Sequence, residues 1–232
     1  MMFEQIYEME NLEAAWQRVR ANKGAPGIDR VTHQAFEKDL STNLHALQCQ
    51  IREESYKPLP VVIFKGQKAK GGTRAIGIST VRDKVVQQAI LKVIGPYFEK
   101  NFLPCSCAYR PRTSALSAIK KANQMIRAGN LWALQMDVKG FFDTMDHSIL
   151  LDLIGRVIDE KSLVRLVSKL LKAKILKEMG LFDNTSGTQQ GSGLSPLLSN
   201  IYMHPADIFL WKKYKEKYLR YSDDITVLVE ER

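Results

Sequence analysis

Cysteine is scarce in this chain of 232 residues: Cys49, Cys105 and Cys107 are all it has. An odd, low count argues against a disulfide framework and fits a reducing cytosol, so a cytoplasmic location is expected. Cys105-Ser106-Cys107 has no matching second pair, which argues against a zinc site, and the thiols read as small buried residues. Long apolar runs are missing as well. None approaches the ~20 residues that span a bilayer, so no membrane partner is expected. The opening MMFEQIYEMENLE is acidic and amphipathic, unlike a signal peptide. Internal repeats and low-complexity tracts are absent. Acids are outnumbered, 25 Asp and Glu against 34 Lys and Arg, for a net charge of +9. That excess suits a polyanion, because each basic contact to a phosphate releases a condensed counterion. A merely soluble basic protein has the same balance.

What is present is a core-forming composition, 45% hydrophobic, enough for one or two domains. Phe3, Ile6, Tyr7, Leu12, Trp16 and Val19 fall on one face and predict a helix over residues 3–21, which NKGAPGID stops. A second helix is predicted over residues 32–54, with Thr32 as its N-cap. Two strand-like runs, PVVIFK and TRAIGI, flank GQKAKGG and predict a hairpin with a basic tip. From Lys57 to Lys84 there are seven basic residues (Lys57, Lys65, Lys68, Lys70, Arg74, Arg82, Lys84) against one acid, Asp83. This is either a solvated hairpin or a phosphate-gripping finger, and the crowding of charge favours the finger. Helices are predicted over residues 81–100, 114–128, 161–174 and 196–215, and one from about Asp146. Residues 131–137 read as a buried strand running into an acid. Asp143 and Asp146 lie near helix starts, where a carboxylate caps amides, and read as structural. The order, helix-rich first and then strand, helices and hairpin, predicts the α+β class.

The last hairpin poses the chemical question. Its two strands, residues 217–221 and 225–229, meet at Ser222-Asp223-Asp224. Asp is a poor strand residue, and adjacent carboxylates repel. Asp-Asp also occurs in turns for backbone reasons alone. If the strand ending at Asp137 neighbours this hairpin, three carboxylates converge. A hard divalent cation relieves such a cluster. Two ions about 3.5–4 Å apart can activate a hydroxyl and stabilise a leaving oxygen in phosphoryl transfer.

Six segments carry a resemblance: GAPGID; KGQKAKGGTRAIGISTVRDKVVQQAI; CAYRPRTSALSAI; MDVKGFFDTMDHSILL; GTQQGSGLSPLLSNIYM; and RYSDDITVLV. In this order and spacing the chain resembles a bacterial group II intron-type (retron-type) reverse transcriptase or maturase, a retroelement protein. The resemblance implies right-hand polymerase fingers (residues 1–130) and palm (131–232). It implies an antiparallel palm sheet with flanking helices, some of which return toward the fingers. Family members continue into a helical thumb, which is expected to be absent because the chain stops eight residues after Asp224.

The implied activity is RNA-directed DNA polymerisation, a nucleotidyl transfer to a primer 3′-hydroxyl. The implied cofactor is two Mg²⁺, with Mn²⁺ as the alternative ion. Asp137, Asp223 and Asp224 match the catalytic acids and metal ligands, joined by the Val138 carbonyl. Lys65 and Arg74 match fingers contacts to the incoming triphosphate. Phe142 matches the steric gate under the sugar, with plain core as its other reading. Gln190 and Gly191 match the nucleotide pocket, and Tyr221 packs near the primer end or is simply a strand aromatic. Arg110 and Arg112 serve either the template backbone or the fold. The implied partners are an RNA template, a DNA or RNA primer, deoxynucleoside triphosphates and structured intron RNA, with a homodimer through an exposed palm edge as a further expectation. A non-catalytic RNA-binding module that assists intron folding is the competing function. The pattern departs from the family's at Ala75 and Ser79, where proline is common, and at Ser222, where alanine is more usual.

Overall fold

The structure, a computed structural model, describes residues 1–67, 73–189 and 191–230, the side chains of Gln67, Thr73 and Arg74 excepted. Lys68 and Lys70 of the expected basic tip, and Gln190, lie outside the described residues.

The opening period holds as an apolar face but not as one rod. It forms α1 (Met2–Tyr7) and α2 (Met9–Ala21), separated by Glu8 at φ −56°, ψ 134°. Ile6, Leu12, Trp16 and Val19 are still buried on both sides of the break. Likewise α3 (His33–Lys38) and α4 (Leu40–Arg52) replace one predicted helix, the break falling at Asp39. Periodicity locates a buried face, and a single residue leaving helical ψ does not disturb it. Thr32 caps as predicted, its hydroxyl accepting from the Ala35 amide at 3.1 Å.

Next come β1 (Val61–Gln67), β2 (Thr73–Ile78), α5 (Val81–Glu99) and α6 (Ala115–Arg127), the last started by a reciprocal Ser114–Ser117 cap. They are followed by β3 (Trp132–Asp137), α7 (Phe141–Thr144), α8 (His147–Gly155) and α9 (Lys161–Leu171). Asp146 caps α8, accepting from the Ser148 and Ile149 amides at 2.7 and 3.1 Å. The chain ends with β4 (Ile175–Lys177), β5 (Gly180–Phe182), α10 (Ser195–Tyr214), a 3-10 turn (Lys215–Lys217), β6 (Tyr218–Tyr221) and β7 (Asp224–Val229). Among the described residues no helix is long and apolar enough to cross a membrane.

Two compact units result, and the chain passes between them three times: Met1–Tyr97 with Phe142–Ser195, and Phe98–Phe141 with Pro196–Arg232. A cut at residue 130 falls inside the second unit. The first unit holds a four-stranded sheet in the order β2-β1-β4-β5, in which β1 pairs antiparallel with β2 and parallel with β4. The unit's helices include the amphipathic α9, which packs against α8 and α1 and whose Leu163, Leu166, Val167, Leu170 and Leu171 are buried at helical spacing.

The second unit holds a three-stranded antiparallel sheet in the order β3-β7-β6. Here β3 differs from its sequence reading, because all six of its residues are exposed. A mostly apolar run reads as a buried strand, whereas β3 stands exposed at the sheet edge. Cys105 and Cys107 are buried, Cys49 is partly so, and all three are free thiols.

Candidate active site

The acids assemble in the second unit through strand register. Asp137 ends β3 directly opposite Asp224 at the start of β7, and Asp224 in turn lies opposite Tyr221 of β6. Cross-strand partners point to the same face with Cβ atoms about 4.5–5.5 Å apart. The two carboxylates therefore share one face at one end of the sheet, beside Tyr221. Asp223 sits in the two-residue turn between β6 and β7. Partial burial, then the charges of Asp223 and Asp137, push the Asp224 carboxyl above the usual carboxylate range. Asp224 thus lies within electrostatic reach of both other carboxylates.

Exposed hard oxygen donors of this kind fit a divalent cation such as Mg²⁺. Among the described residues, however, no three His, Cys, Asp or Glu side chains form a ready-made metal cage. The site is open, with room for ligands the protein does not supply. The Val138 carbonyl accepts from the Phe141 amide at 3.1 Å, which leaves it a second lone pair.

What holds the turn was not evident from the sequence motif. Ser222 adopts a left-handed conformation, φ 62°, which a tight hairpin loop needs and which serine tolerates less well than glycine. Its carbonyl accepts from Arg220 Nη1 at 2.7 Å. Arg220 is fully buried and spends all five of its N–H donors. Nε and Nη2 grip Asp207 of α10 at 2.7 and 2.6 Å, Nη1 also reaches Asn200 at 3.1 Å, and Nη2 also reaches Ser106 at 2.8 Å. Tyr218 donates its hydroxyl to the same Asp207 at 2.5 Å. Burial, then the Asp207 charge, holds that phenol well above its ordinary range, so it stays a donor. The available signal was Arg220 in strand alternation with Tyr218, on the face opposite Leu219 and Tyr221.

Lys65, Arg74, Phe142 and Gly191 lie in the first unit. Lys65 is exposed on β1 and makes a loose pair with Glu178 at 3.5 Å, worth little in water. Arg74 is paired on β2 through its backbone with Gly66. Phe142 is almost fully buried and lines a cavity of about 380 Å³ with Ala75, Gly77 and Gln189.

Gly191 stands at φ +113°, where a Cβ would lie 2.7 Å from the Gly77 carbonyl oxygen, so the loop can approach β2 only as glycine. Gly191→Ala is expected to lower stability by about 1–3 kcal/mol through strain and displacement of the loop, read as a shift in urea midpoint. An unchanged midpoint would show that the loop has room to move. The same loop is tied down through Ser79, whose hydroxyl bonds Gln189 at 3.4 Å and accepts from Gln87 at 3.2 Å. Serine in place of the common proline thus supplies a hydroxyl that proline lacks. Arg110, for which the sequence left two roles open, bonds Glu99 at 2.8 Å and the carbonyls of Leu103 and Ser106 at 2.7 and 2.9 Å, all within the fold.

A mixed sheet and a three-stranded antiparallel sheet, each accompanied by helices, make up an architecture of the reverse transcriptase class. The chain is a member of the reverse transcriptase (RNA-dependent DNA polymerase) family, whose profile matches residues 65–232. It is 32% identical over 216 residues to Protein YkfC of Escherichia coli K12, covering 90% of this chain and 56% of that protein. It is 33% identical over 199 residues to the group II intron-encoded protein LtrA of Lactococcus lactis subsp. cremoris, covering 84% and 33%. The chain therefore spans about half the length of the first relative and a third of the second. A solved structure titled "Partial Cas6-RT-Cas1--Cas2 complex" shares the fold, with a TM-score of 0.61 at 20% identity, covering 97% of this chain and 38% of that one.

Proposed function

We propose that the chain is the fingers and palm core of a group II intron-type RNA-directed DNA polymerase. In this reading the first unit acts as fingers and the second as palm. A primer 3′-hydroxyl attacks the α-phosphate of a deoxynucleoside triphosphate, and pyrophosphate leaves. The observation that carries this reading is the register placing Asp137 opposite Asp224 next to the Asp223 turn.

Asp137 and Asp223, with Asp224 supporting and the Val138 carbonyl adjacent, would hold two Mg²⁺, or Mn²⁺ in their place. When bound, these ions supply Lewis-acid stabilisation of the attacking and leaving oxygens. The protein's own contribution is positioning and neutralisation of charge. Lys65 and Arg74 would neutralise the triphosphate. Gln190 and Gly191 would line the base side of the nucleotide, and Tyr221 would pack against the primer end. Phe142 would fill the space a 2′-hydroxyl needs. The template is RNA, the primer is DNA or RNA, and structured intron RNA is a further partner. The three free thiols and the low cysteine count support a cytoplasmic setting. The outer edge of β3 is the surface through which a second copy would pair.

The test is extension of a primer on an RNA template, run beside salt-dependent RNA binding. Extension that requires a divalent ion supports the proposal. Tight, salt-sensitive binding without any extension selects the competing role, an RNA-binding module that assists intron folding. Within the polymerase reading, Phe142→Ala is expected to raise ribonucleotide incorporation relative to deoxynucleotide by roughly 10- to 100-fold, since one lost steric clash is worth about 1–3 kcal/mol. Sugar selectivity equal to that of the parent would remove Phe142 from this role and return it to the core.

A further inference from the structure

At the opposite end of β6 from the acids, the chain concentrates positive charge. Trp211–Lys217 reads WKKYKEK, four lysines and one acid in seven residues. Lys212, Lys213 and Lys215 are exposed, and Lys217 pairs with Glu230 at 2.8 Å. The lysines surround aromatic rings. Trp211 and Tyr214 are half-buried and line an open cavity of about 780 Å³ with the four lysines, Glu216 and Val229. The Lys213 ammonium lies 5.1 Å from the centre of the Tyr214 ring. One turn earlier, Phe209 is 69% exposed.

The plain account of lysines here is the helix dipole, which favours cations at a C-terminus. That explains Lys212 and Lys213 in the last turn of α10. It does not explain Lys215, which lies beyond α10, nor the rings of Trp211 and Tyr214, while Lys217 is accounted for by its pair with Glu230. Lys215 also occupies a left-handed conformation, φ 48°, at a position where glycine would be free of strain.

We propose that Trp211, Lys212, Lys213, Tyr214 and Lys215 form a second contact for single-stranded polynucleotide, about 13 Å of strand away from the acidic turn. Lysines follow the phosphates while the rings offer faces on which unpaired bases stack, the combination that single-strand readers use. An anionic membrane would ask for an apolar face able to sink between lipids. Here Trp211 and Tyr214 are held in a cavity wall, which suits a flat base instead. The contact is distinct from primer extension and stands whether or not the chain polymerises.

The experiment titrates the full chain into fluorescein-labelled 12-mers of U and of dT, by anisotropy, from 50 to 300 mM salt. Its variant is Lys212→Gln/Lys213→Gln/Lys215→Gln. Three lost phosphate contacts should flatten the log–log salt slope by about 2, and weaken binding roughly 10- to 100-fold at 100 mM. Equal losses on U and dT identify a contact to backbone and base face, and a larger loss on U identifies RNA. Lys215→Gly serves as a second variant. It relieves the backbone while removing the charge, so it should melt higher than the parent yet bind more weakly. Photocrosslinking of 5-iodouridine in the U 12-mer should map to Trp211 or Tyr214. An unchanged salt slope in the triple variant overturns the proposal, as do crosslinks confined to other segments. Loss of binding to phosphatidylserine vesicles with RNA binding intact would also overturn it, in favour of a lipid surface.

Discussion

Asp223→Asn is expected to abolish primer extension, by at least about 10³-fold or 4 kcal/mol in barrier, while the chain stays folded. The amide keeps the size of the side chain and its place in the turn but removes the charge that would bind the cation. The folded chain should not suffer. Asp223 is one of the groups that raise Asp224 above its usual range, so removing its charge relieves repulsion. The sign of the pH effect follows. A carboxyl raised in the folded state binds protons there more tightly than when unfolded, so its contribution to stability is present at low pH and is lost as pH rises through the raised value. In Asp223→Asn that loss should shrink. The checks are steady-state extension with Mg²⁺ and urea midpoints measured between pH 3 and 7. An active Asp223→Asn variant would remove this residue from the mechanism. An inactive one with a lowered midpoint would mean that the turn itself had been damaged.

The second large effect concerns stability. Arg220→Met should destabilise the second unit by about 3–5 kcal/mol, because it strands the Asp207 carboxylate, fully buried, without its partner. Tyr218 still donates to that carboxylate, but one hydroxyl does not replace a bidentate guanidinium. Adding Asp207→Leu should return much of the lost stability, since a buried ion pair is often replaced by apolar groups at little cost. Activity should not return with it. The Ser222 carbonyl would still lack the Arg220 donor at 2.7 Å that fixes the turn carrying Asp223. Urea unfolding of the single and double variants, set beside their extension rates, separates the two effects. If Arg220→Met lost less than about 1 kcal/mol, the network would be ornamental. If the double variant regained full extension, the guanidinium would have no part in holding the turn.

Much of this was legible because it depends on local chemistry. Thr32 and Asp146 announce helix starts, since a short oxygen side chain before an apolar period has a backbone amide to satisfy. The hairpins of β1–β2 and β6–β7 were visible from strand-forming residues on either side of turn residues. The neighbourhood of Asp137 and the terminal hairpin followed from asking what could make an acidic pair tolerable, and the register then set Asp137 against Asp224. Other features depend on neighbours the local sequence does not contain. The breaks at Glu8 and Asp39 leave the apolar face intact, so no period reports them. The β4 and β5 strands are three residues each, too short to announce themselves. Whether β3 is covered depends on its place in the sheet order, and its Val-free, apolar run misleads on that point. Arg220 looks like an ordinary strand cation until Asp207 comes from another element to meet it.

The threefold passage of the chain between units has a consequence for synthesis. Strand β1 lies between β2 and β4, and β4 begins at Ile175. On a ribosome adding about 5–20 residues per second, roughly 5 to 20 s separate Gln67 from Ile175. Throughout that interval the β1–β2 hairpin presents an open edge, and residues 98–141 of the other unit emerge before either body can close. Growth from the amino end therefore leaves the first unit unfinished until β4 has emerged and the second until β6 and β7 have followed it, the window in which a holding chaperone would be needed most.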